Sequence, residues 1–320
     1  MSSFSHTALA FPPQPKPDPI SHNSLLTVIT SSTALTHLKQ VHAQILRSKP
    51  ERSNSLLLKI VLSSCALSSG LDYALSVFCQ IQKPETHFCN KVLREFSRGM
   101  KPEKTLLVYE KMRRDGSSLD RFSFPPLLKA VSKVSAFIEG LEIHGLAAKL
   151  GFDSDPFIQT GLIGMYAACG RILEARLLFD KMSHRDVVTW NIMIDGYCKI
   201  GLFDHVLKLY EEMKNSDMEP DGIILCTVLS ACGRAGNLSY GKAVHEFIKD
   251  NGIVVDSHLQ SALVNMYANC GAMDLAQQLY DQASSKHLVV STAMVSGLIM
   301  QLHPHILSLV AGATACIETW

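Results

Sequence analysis

The sequence predicts an all-α protein, a superhelical solenoid of stacked helix-turn-helix units. Three observations predict it: an internal repeat at a shift of 101 residues, blocks of 35, 35 and 31 residues inside that repeat, and apolar stripes with helical spacing. Periods of about 20–50 residues are typical of solenoids, in which each unit buries its apolar face by stacking on its neighbours. With 320 residues, 47% hydrophobic and 18% charged, the chain is not a disordered one.

The charge balance restricts how the chain binds any nucleic acid. It has 30 basic and 29 acidic side chains, a formal net charge of +1, which excludes a histone-like protein that binds by bulk charge. Its nine cysteines include no C-x-x-C spacing, so we expect buried thiols in a reducing compartment rather than a disulfide scaffold or a zinc knuckle. Nucleic-acid binding would therefore depend on the local placement of charges.

The first segment, residues 1–20, is predicted to be a disordered leader. It holds five of the thirteen prolines, one Lys, one Asp and no Arg, and dense proline removes the backbone donors that a helix needs. Its Ser-rich, acid-poor composition is typical of an organelle transit peptide, which predicts the chloroplast, with the mitochondrion as the alternative. A disordered tail without a targeting role is the other interpretation.

The internal repeat is the most informative feature of the sequence. The segment Gly-Leu-Ile-Gly-Met-Tyr-Ala-Ala-Cys-Gly at 161–170 recurs as Ala-Leu-Val-Asn-Met-Tyr-Ala-Asn-Cys-Gly at 262–271, and the same shift relates Asn90 to Asn191. The pattern divides 21–287 into approximate blocks: 21–54, 55–85, 86–120, 121–155, 156–186, 187–221, 222–256 and 257–287. Such a regular shift predicts a duplicated structural unit.

The block 187–221 shows how each unit is expected to fold. One stripe of a first helix is formed by Trp190, Ile194, Tyr197 and Cys198. Gly201 is expected to end that helix as a left-handed turn residue. A second stripe runs from Phe203 to Met213 and stops before Pro220. Each block is therefore predicted to contain two helices.

The last segment, 288–320, departs from the pattern. Leu288 begins another block in register, but the register is lost after Leu298 and Pro304 interrupts the expected second helix. We therefore expect an incomplete repeat with an aberrant apolar tail, from a truncated or misread gene product. Neither apolar half, Leu288–Met300 or Ile306–Ile317, reaches the roughly 18–20 residues of a membrane span.

The residues of block 187–221 resemble those of a known repeat family. Val-Val-Thr-Trp-Asn-Ile-Met-Ile-Asp-Gly-Tyr-Cys-Lys at 187–199, Leu-Tyr-Glu-Glu-Met at 209–213 and Glu219-Pro220-Asp221 closely resemble a pentatricopeptide repeat. The block lengths resemble the P, L and S repeats of the plant PLS subclass, and Met-Tyr-Ala-x-Cys-Gly is similar to the S-type signature. The resemblance covers about 21–299. It implies a right-handed superhelical solenoid that reads single-stranded RNA with one repeat per nucleotide.

The resemblance also implies that the fifth and last residues of a repeat face the base. Carried onto this sequence, the informative pairs are Asn90 with Asp120, Thr160 with Asp186, and Asn191 with Asp221. The Asn–Asp pairs imply uracil over cytosine and the Thr–Asp pair implies guanine. Pro125 with Asp155 and Cys226 with Asp256 match no informative combination, so the expected core along 86–221 is uracil, any base, guanine, uracil. Helix capping is the alternative role of the aspartates, and both roles can coexist.

A row of cations is predicted beside these positions. Residues at i, i+4 and i+8 share one side of a helix, and eight residues after the fifth positions stand Arg98, Lys133, Lys199 and Arg234. We expect them to contact RNA phosphates, with ordinary solvated side chains as the alternative. The aromatic residues on the apolar stripes are expected in the core instead of stacking on bases: Trp190, Tyr166, Tyr197 and Tyr267.

The sequence does not predict an enzyme. The cytidine-deaminase domain found in some PLS proteins needs a His-x-Glu and a Cys-x-x-Cys around zinc, and neither occurs here. We expect no cofactor, no metal and no membrane span. The predicted protein is a monomeric adaptor that binds single-stranded organellar RNA, with factors for C-to-U editing or other processing supplied in trans. The alternative is a protein-binding helical-repeat scaffold without RNA contact.

Overall fold

A computed structural model describes residues 22–48, 53–67, 70–99, 101–216 and 218–282. These residues form sixteen α-helices and no β-strand, so the predicted all-α fold is confirmed. The predicted leader at 1–20 and the predicted tail at 288–320 lie outside the described residues. The division of the chain into leader, array and tail therefore stays a prediction.

The chain divides into two compact units, Met1–Pro126 and Leu127–Trp320. The helices that begin in the first unit are α1 (His22–Ser31), α2 (Leu35–Ser48), α3 (Ser53–Cys65), α4 (Leu71–Gln80), α5 (Thr86–Arg98), α6 (Glu103–Arg114) and α7 (Phe124–Val134). The helices that begin in the second unit are α8 (Phe137–Lys149), α9 (Pro156–Ala168), α10 (Ile172–Lys181), α11 (Val187–Lys199), α12 (Phe203–Lys214), α13 (Gly222–Ala235), α14 (Leu238–Asp250), α15 (Ser257–Asn269) and α16 (Met273–Asp281).

Within each unit the first helices of successive blocks pack side by side. In the first unit α3 lies against both α1 and α5, and in the second unit α11 lies against α9 and α13, which in turn packs on α15. Four second helices, α2, α10, α12 and α14, pack both on their own first helix and on the first helix of the next block, as α10 does on α9 and α11. A helix with one apolar stripe cannot cover that stripe alone, so this stacking creates the core.

The helix pair α11–α12 illustrates how the sequence specifies each unit. The predicted stripe of α11 is buried, with Trp190 2% and Tyr197 5% exposed. The ring of Phe179 from α10 packs edge-on against Trp190 at 4.9 Å between centroids, and burying one such side chain stabilises the fold by about 1.5–3 kcal/mol. Gly201 follows α11 with φ +79°, the left-handed conformation predicted for it.

The predicted core aromatics are confirmed, while the cysteine prediction holds only in part. Trp190, Tyr166, Tyr197 and Tyr267 are all buried. Among the eight cysteines of the described residues, none forms a disulfide; Cys89, Cys198 and Cys232 are buried, whereas Cys79 is exposed. No helix in the described part of the chain is both long and apolar enough to cross a bilayer.

Candidate nucleic-acid interface

Four of the aspartates at the last position of a block cap the helix that follows. The backbone N–H donors are Phe157 to Asp155 at 3.0 Å, Thr189 to Asp186 at 2.8 Å, Ile224 to Asp221 at 2.9 Å and Leu259 to Asp256 at 2.8 Å. Each of these four carboxylates satisfies an N–H that has no partner inside the helix, a contribution of about 1 kcal/mol. The capping role is thus confirmed for these four, whereas Asp120 accepts from Phe122 at 2.9 Å and Ser123 at 3.2 Å in the turn before α7.

Asn90, Asp120 and Ser123 form a closed ring of hydrogen bonds in the first unit. Asn90 Nδ2 donates to Asp120 Oδ1 at 2.8 Å, and Ser123 Oγ donates to Asn90 Oδ1 at 2.7 Å. The backbone N–H of Asp120 donates to Ser123 Oγ at 3.1 Å. Asn90 is 7% exposed and Ser123 is fully buried. The structure therefore brings the predicted pair together and adds a serine that the sequence reasoning missed.

Thr160 and Asp186 are joined in the second unit through Thr189. The hydroxyl oxygens of Thr160 and Thr189 are 3.0 Å apart, and Thr189 Oγ1 donates to Asp186 Oδ1 at 2.5 Å. Thr189, like Ser123, is fully buried. Both are the third residue of the block that follows the pair. A hydroxyl at that position was the sequence signal that would have revealed both residues.

Asn191 and Asp221 lack such a connection, although their sequence pattern matches that of Asn90 and Asp120. The third residue of the next block is Ile224, which has no hydroxyl and is fully buried. Among the described residues, the buried Oδ1 of Asn191 has no hydrogen-bond partner. The two Asn–Asp pairs, which are 101 residues apart, therefore have different surroundings.

The charges of two capping carboxylates act on the fifth residue of block 222–256. Burial raises the pKa of the Cys226 thiol to about 11, with further contributions from the carboxylates of Asp256 and Asp221. The thiol is therefore neutral near pH 7. Its proximity to both aspartates shows that, in this part of the second unit, fifth and last residues of successive blocks lie near one another.

The four predicted phosphate-binding residues are exposed: Arg98, Lys133, Lys199 and Arg234. The side chain of Lys199 is 73% exposed and its Nζ lies 2.7 Å from Asp195. The side chain of Arg98 is 63% exposed and lies 3.7 Å from Glu95. Exposed ion pairs contribute only about 0–1 kcal/mol, so these pairs can open in favour of a phosphate.

Arg234 also has a structural role that the sequence did not predict. Its guanidinium lies over the ring of Phe203 at 4.8 Å and donates to the carbonyl oxygen of Cys198 at 3.3 Å. That carbonyl belongs to the last turn of α11, where backbone acceptors have no partner inside the helix. Arg234 therefore connects the end of α11 with the start of α12, and a phosphate would compete with this contact.

Sequence reasoning also missed an exposed apolar residue near the start of four first helices. These second residues of their blocks are Phe122, Phe157, Val188 and Ile223, exposed by 58%, 71%, 57% and 62%. The second and fifth residues of a block share one face of the helix. Exposed apolar groups beside polar reading positions offer contact surface for the flat faces of bases. An apolar residue one place after the start of four consecutive blocks, 121–155 to 222–256, was the available signal.

Within the described residues, no group of three His, Cys, Asp or Glu side chains is placed to hold a metal ion. The polar groups beside the first helices are instead amides, hydroxyls and carboxylates that cap or interconnect blocks. Such groups donate and accept hydrogen bonds without covalent chemistry. Their arrangement is suited to recognition of a polar ligand along the blocks.

Comparison with known proteins gives matches to one repeat family. Residues 185–234 match the PPR repeat family and residues 160–187 match the PPR repeat. The chain is 49% identical over 280 residues to the pentatricopeptide repeat-containing protein At4g14820 of Arabidopsis thaliana, with 86% of this chain and 38% of the relative covered.

Two other relatives from Arabidopsis thaliana carry organelle names. The pentatricopeptide repeat-containing protein At1g59720, chloroplastic/mitochondrial, is 34% identical over 284 residues, covering 86% of this chain and 44% of the relative. The pentatricopeptide repeat-containing protein At2g22410, mitochondrial, is 32% identical over 288 residues, covering 87% of this chain and 41% of the relative. The chain spans less than half the length of these relatives.

Among solved structures, the chain is similar to the pentatricopeptide repeat protein PPR10 in complex with an 18-nt psaJ RNA element. The TM-score is 0.68 at 16% identity, with 86% of this chain and 45% of that chain covered. The chain is also similar to the structure of PPR10 from maize, with a TM-score of 0.56 at 16% identity. The match covers 85% of this chain and 45% of that chain. At this identity the likeness establishes the solenoid fold.

Proposed function

We propose that this chain, which belongs to the pentatricopeptide repeat family, binds single-stranded RNA in an organelle. It would serve as a site-recognition adaptor for C-to-U editing or another RNA-processing step. The observation that carries the proposal is the coupling of the fifth and last residues of a block, directly at Asn90 with Asp120 and through a hydroxyl at Thr160 with Asp186. A base that contacts one residue of such a pair is therefore also influenced by the other residue.

The proposed reading positions are the six residues Asn90, Asp120, Thr160, Asp186, Asn191 and Asp221. An ionised carboxylate only accepts hydrogen bonds, whereas an amide both donates and accepts. The Watson–Crick edges of uracil and guanine carry N–H groups that a carboxylate can accept. We therefore keep the expected core of uracil, any base, guanine and uracil along 86–221, with the exposed apolar second residues against the faces of the bases.

The proposed phosphate contacts are made by Arg98, Lys133, Lys199 and Arg234. Their exposure supports the assignment, and four local cations suffice for salt-dependent binding although the net charge of the chain is only +1. Phosphate contacts fix the register of the strand and leave base selection to the reading positions. This separation of roles makes the two sets of residues separately testable.

The finer assignments are also proposals. The order of 35, 35 and 31 residues supports the PLS subclass, and the organelle names of two relatives support a plastid or mitochondrial location, of which we favour the chloroplast. We also propose that factors supplied in trans carry out the chemistry of editing, since these 320 residues contain neither a His-x-Glu nor a Cys-x-x-Cys. We propose that the chain acts as a monomer.

The test is a single substitution at a reading position. Asn191→Thr converts the pair with Asp221 into the Thr–Asp combination of Thr160 and Asp186, and we expect the preference at the last letter of the core to shift from uracil towards guanine. Gel-shift titration with four RNA oligonucleotides that differ at that letter measures it. Asn215→Thr, an exposed change after α12, is the control. Unchanged preference among the four bases in Asn191→Thr would reject the assignment.

A further inference from the structure

We propose that the third residue of a block is a positioning residue that sets the base selectivity of the block before it, which presupposes the RNA binding proposed above. This third-position hydroxyl is Ser123 for the block 86–120 and Thr189 for 156–186. It is missing for 187–221, where Ile224 occupies the place. All three side chains are fully buried, so none of them meets RNA directly.

Ser123 fixes the orientation of the Asn90 amide. Asn90 Oδ1 accepts the Ser123 hydroxyl proton at 2.7 Å, and one Nδ2 proton goes to Asp120 at 2.8 Å. Ser123 Oγ also lies 3.2 Å from Asp120 Oδ1. Rotating the amide by half a turn would place its oxygen against the Asp120 carboxylate, so Asp120 keeps the NH₂ group on its side while the Ser123 hydroxyl occupies the amide oxygen. One N–H of Asn90 is left for a base, and the oxygen faces the serine.

A donor in a fixed orientation distinguishes the two pyrimidines. Uracil, like thymine, has a carbonyl acceptor at C4, whereas cytosine has an amino donor there. The remaining N–H of Asn90 matches the carbonyl and opposes the amino group. Opposed donors leave two polar groups without partners, which is costly away from water. Ser123 thus makes the block 86–120 selective for uracil.

Thr189 also orients the residue that faces the base, Thr160, but it leaves that residue as an acceptor instead of a donor. The only hydroxyl proton of Thr189 goes to the carboxylate of Asp186 at 2.5 Å, a charge-assisted bond. The 3.0 Å contact between the two threonine oxygens must then use the proton of Thr160. Thr160 is left as an acceptor, which suits the N–H donors on the Watson–Crick edge of guanine. The third-position hydroxyl therefore selects opposite hydrogen-bond characters in the two blocks.

Asn191 has no such restriction. Ile224 cannot donate a hydrogen bond, and Asn191 Oδ1 has no partner among the described residues. Because no hydrogen bond holds its buried oxygen, the amide can turn over and present either its NH₂ group to uracil or its oxygen to the amino group of cytosine. We conclude that the block 187–221 accepts both pyrimidines, although its Asn–Asp pair matches that of block 86–120 in sequence.

The experiment exchanges the hydroxyl between the two blocks. Ser123→Ala removes it from the first block, and Ser123→Thr retains it. Ile224→Thr introduces it for the second, and Ile224→Val is the matched control, with the same branched shape and no hydroxyl. The probes are single-stranded RNA oligonucleotides containing uracil-adenine-guanine-uracil, with uracil or cytosine at the first or the fourth letter.

The readout is the uracil-to-cytosine affinity ratio at each letter. In the unmodified chain we expect a higher ratio at the first letter than at the fourth. Ser123→Ala should lower the first ratio by about fivefold, the loss of one net hydrogen bond, without changing the fourth, and Ser123→Thr should keep it. Ile224→Thr should raise the fourth ratio by a similar factor, while Ile224→Val should not. A purely structural role would change both affinities together and leave the ratios unmoved.

Two outcomes overturn the proposal in distinguishable ways. The chain could bind RNA with equal uracil-to-cytosine ratios at the two letters, and neither Ser123→Ala nor Ile224→Thr could change them. That result would reject the positioning role and leave the proposed function intact. Failure to bind any oligonucleotide would reject the proposed function and the selectivity with it. Hydrogen exchange of the side-chain amides, followed by NMR without RNA, is the second measurement. Equal exchange at Asn90 and Asn191 would overturn the positioning role even if RNA binds.

Discussion

Nδ1 of His144 lies 2.8 Å from the hydroxyl oxygen of Tyr166, and the same contact recurs 101 residues later between His245 and Tyr267 at 2.9 Å. It joins the second helix of one block to the first helix of the next, α8 to α9 and α14 to α15. Burial lowers the pKa of both imidazoles; the charge of Asp153 partly opposes this at His144, and Lys249 reinforces it at His245. A neutral imidazole can accept the tyrosine proton at Nδ1, whereas a protonated imidazole can only donate there to the tyrosine oxygen, and burial disfavours its charge.

These histidines predict that stability falls in mild acid. In the unfolded chain these histidines bind a proton below their ordinary pKa of 6.5. In the folded chain they stay neutral until the pH falls to their lowered pKa. Folding stability is therefore complete above about pH 6.5 and is lost as the pH falls through this window. The Tm should be lower at about pH 5.5 than at about pH 7.5. The double variant His144→Phe/His245→Phe should reduce this difference; an unaltered pH dependence would contradict the assignment.

Asp221→Asn separates capping from base reading. Asparagine caps helices about as well as aspartate, so the free energy of unfolding in urea should change by less than about 0.5 kcal/mol, whereas Asp221→Ala should cost about 1 kcal/mol. The amide replaces an acceptor-only group by one that also donates, and the affinity for RNA with uracil at the last letter should weaken severalfold. Loss of stability without a change in this affinity would assign Asp221 to capping alone.

Lys199→Gln tests the predicted phosphate contacts. If Lys199 neutralises one phosphate of a single strand, the slope of log affinity against log salt concentration should decrease by about 0.7. Lys208→Gln, an exposed change on α12, is the matched control and should leave the slope unaltered. The variants are compared by titration of one RNA oligonucleotide at several salt concentrations. Equal slopes for Lys199→Gln and the unmodified chain would remove Lys199 from the interface.

Two glycines of α8 should respond to alanine in opposite directions. A Cβ at Gly140 would lie 2.7 Å from Met165 Sδ and 3.1 Å from Val131 Cγ1, inside the packed core, whereas a Cβ at Gly145 would meet nothing within 4 Å. Gly140→Ala should therefore destabilise the fold by about 1–3 kcal/mol. Gly145→Ala should stabilise it by about 0.5–1 kcal/mol, because alanine favours the helix. The Tm of each variant is measured by thermal unfolding. Equal changes of Tm in Gly140→Ala and Gly145→Ala would contradict the close packing of α8 on α9.

Leu173 is an exposed apolar residue, and we expect folding not to depend on it. It is 72% exposed in the first turn of α10, and Asp274 stands 101 residues later in the first turn of α16. Leu173→Asp should leave the free energy of unfolding within about 0.5 kcal/mol, since a carboxylate is favourable at a helix N-terminus. Self-association at high concentration, measured by light scattering, should decrease. Leu173→Ile should not reduce it, and a large loss of stability in Leu173→Asp would contradict the exposed position.

The sequence by itself determined the helices and their order. The shift of 101 residues, the apolar stripe of α11 and the left-handed turn at Gly201 are local properties, because a helix stripe and a turn depend on residues within a few positions of one another. The caps follow the same rule, since Asp186 and Asp221 each bond an N–H three residues away. The resemblance of these blocks to pentatricopeptide repeats then indicated which positions to examine.

Only the tertiary structure decided how those positions differ. Asn90 and Asn191 are equivalent in sequence, yet Asn90 is held by Ser123 and Asn191 Oδ1 is left without a partner among the described residues. The side chain that makes the difference stands 33 residues further along the chain in each case. Whether that side chain supplies a hydrogen-bond partner depends on how residues of neighbouring blocks come together in the fold. A hydrogen-bond partner supplied by packing is set by three-dimensional placement, which the local pattern of residues does not encode.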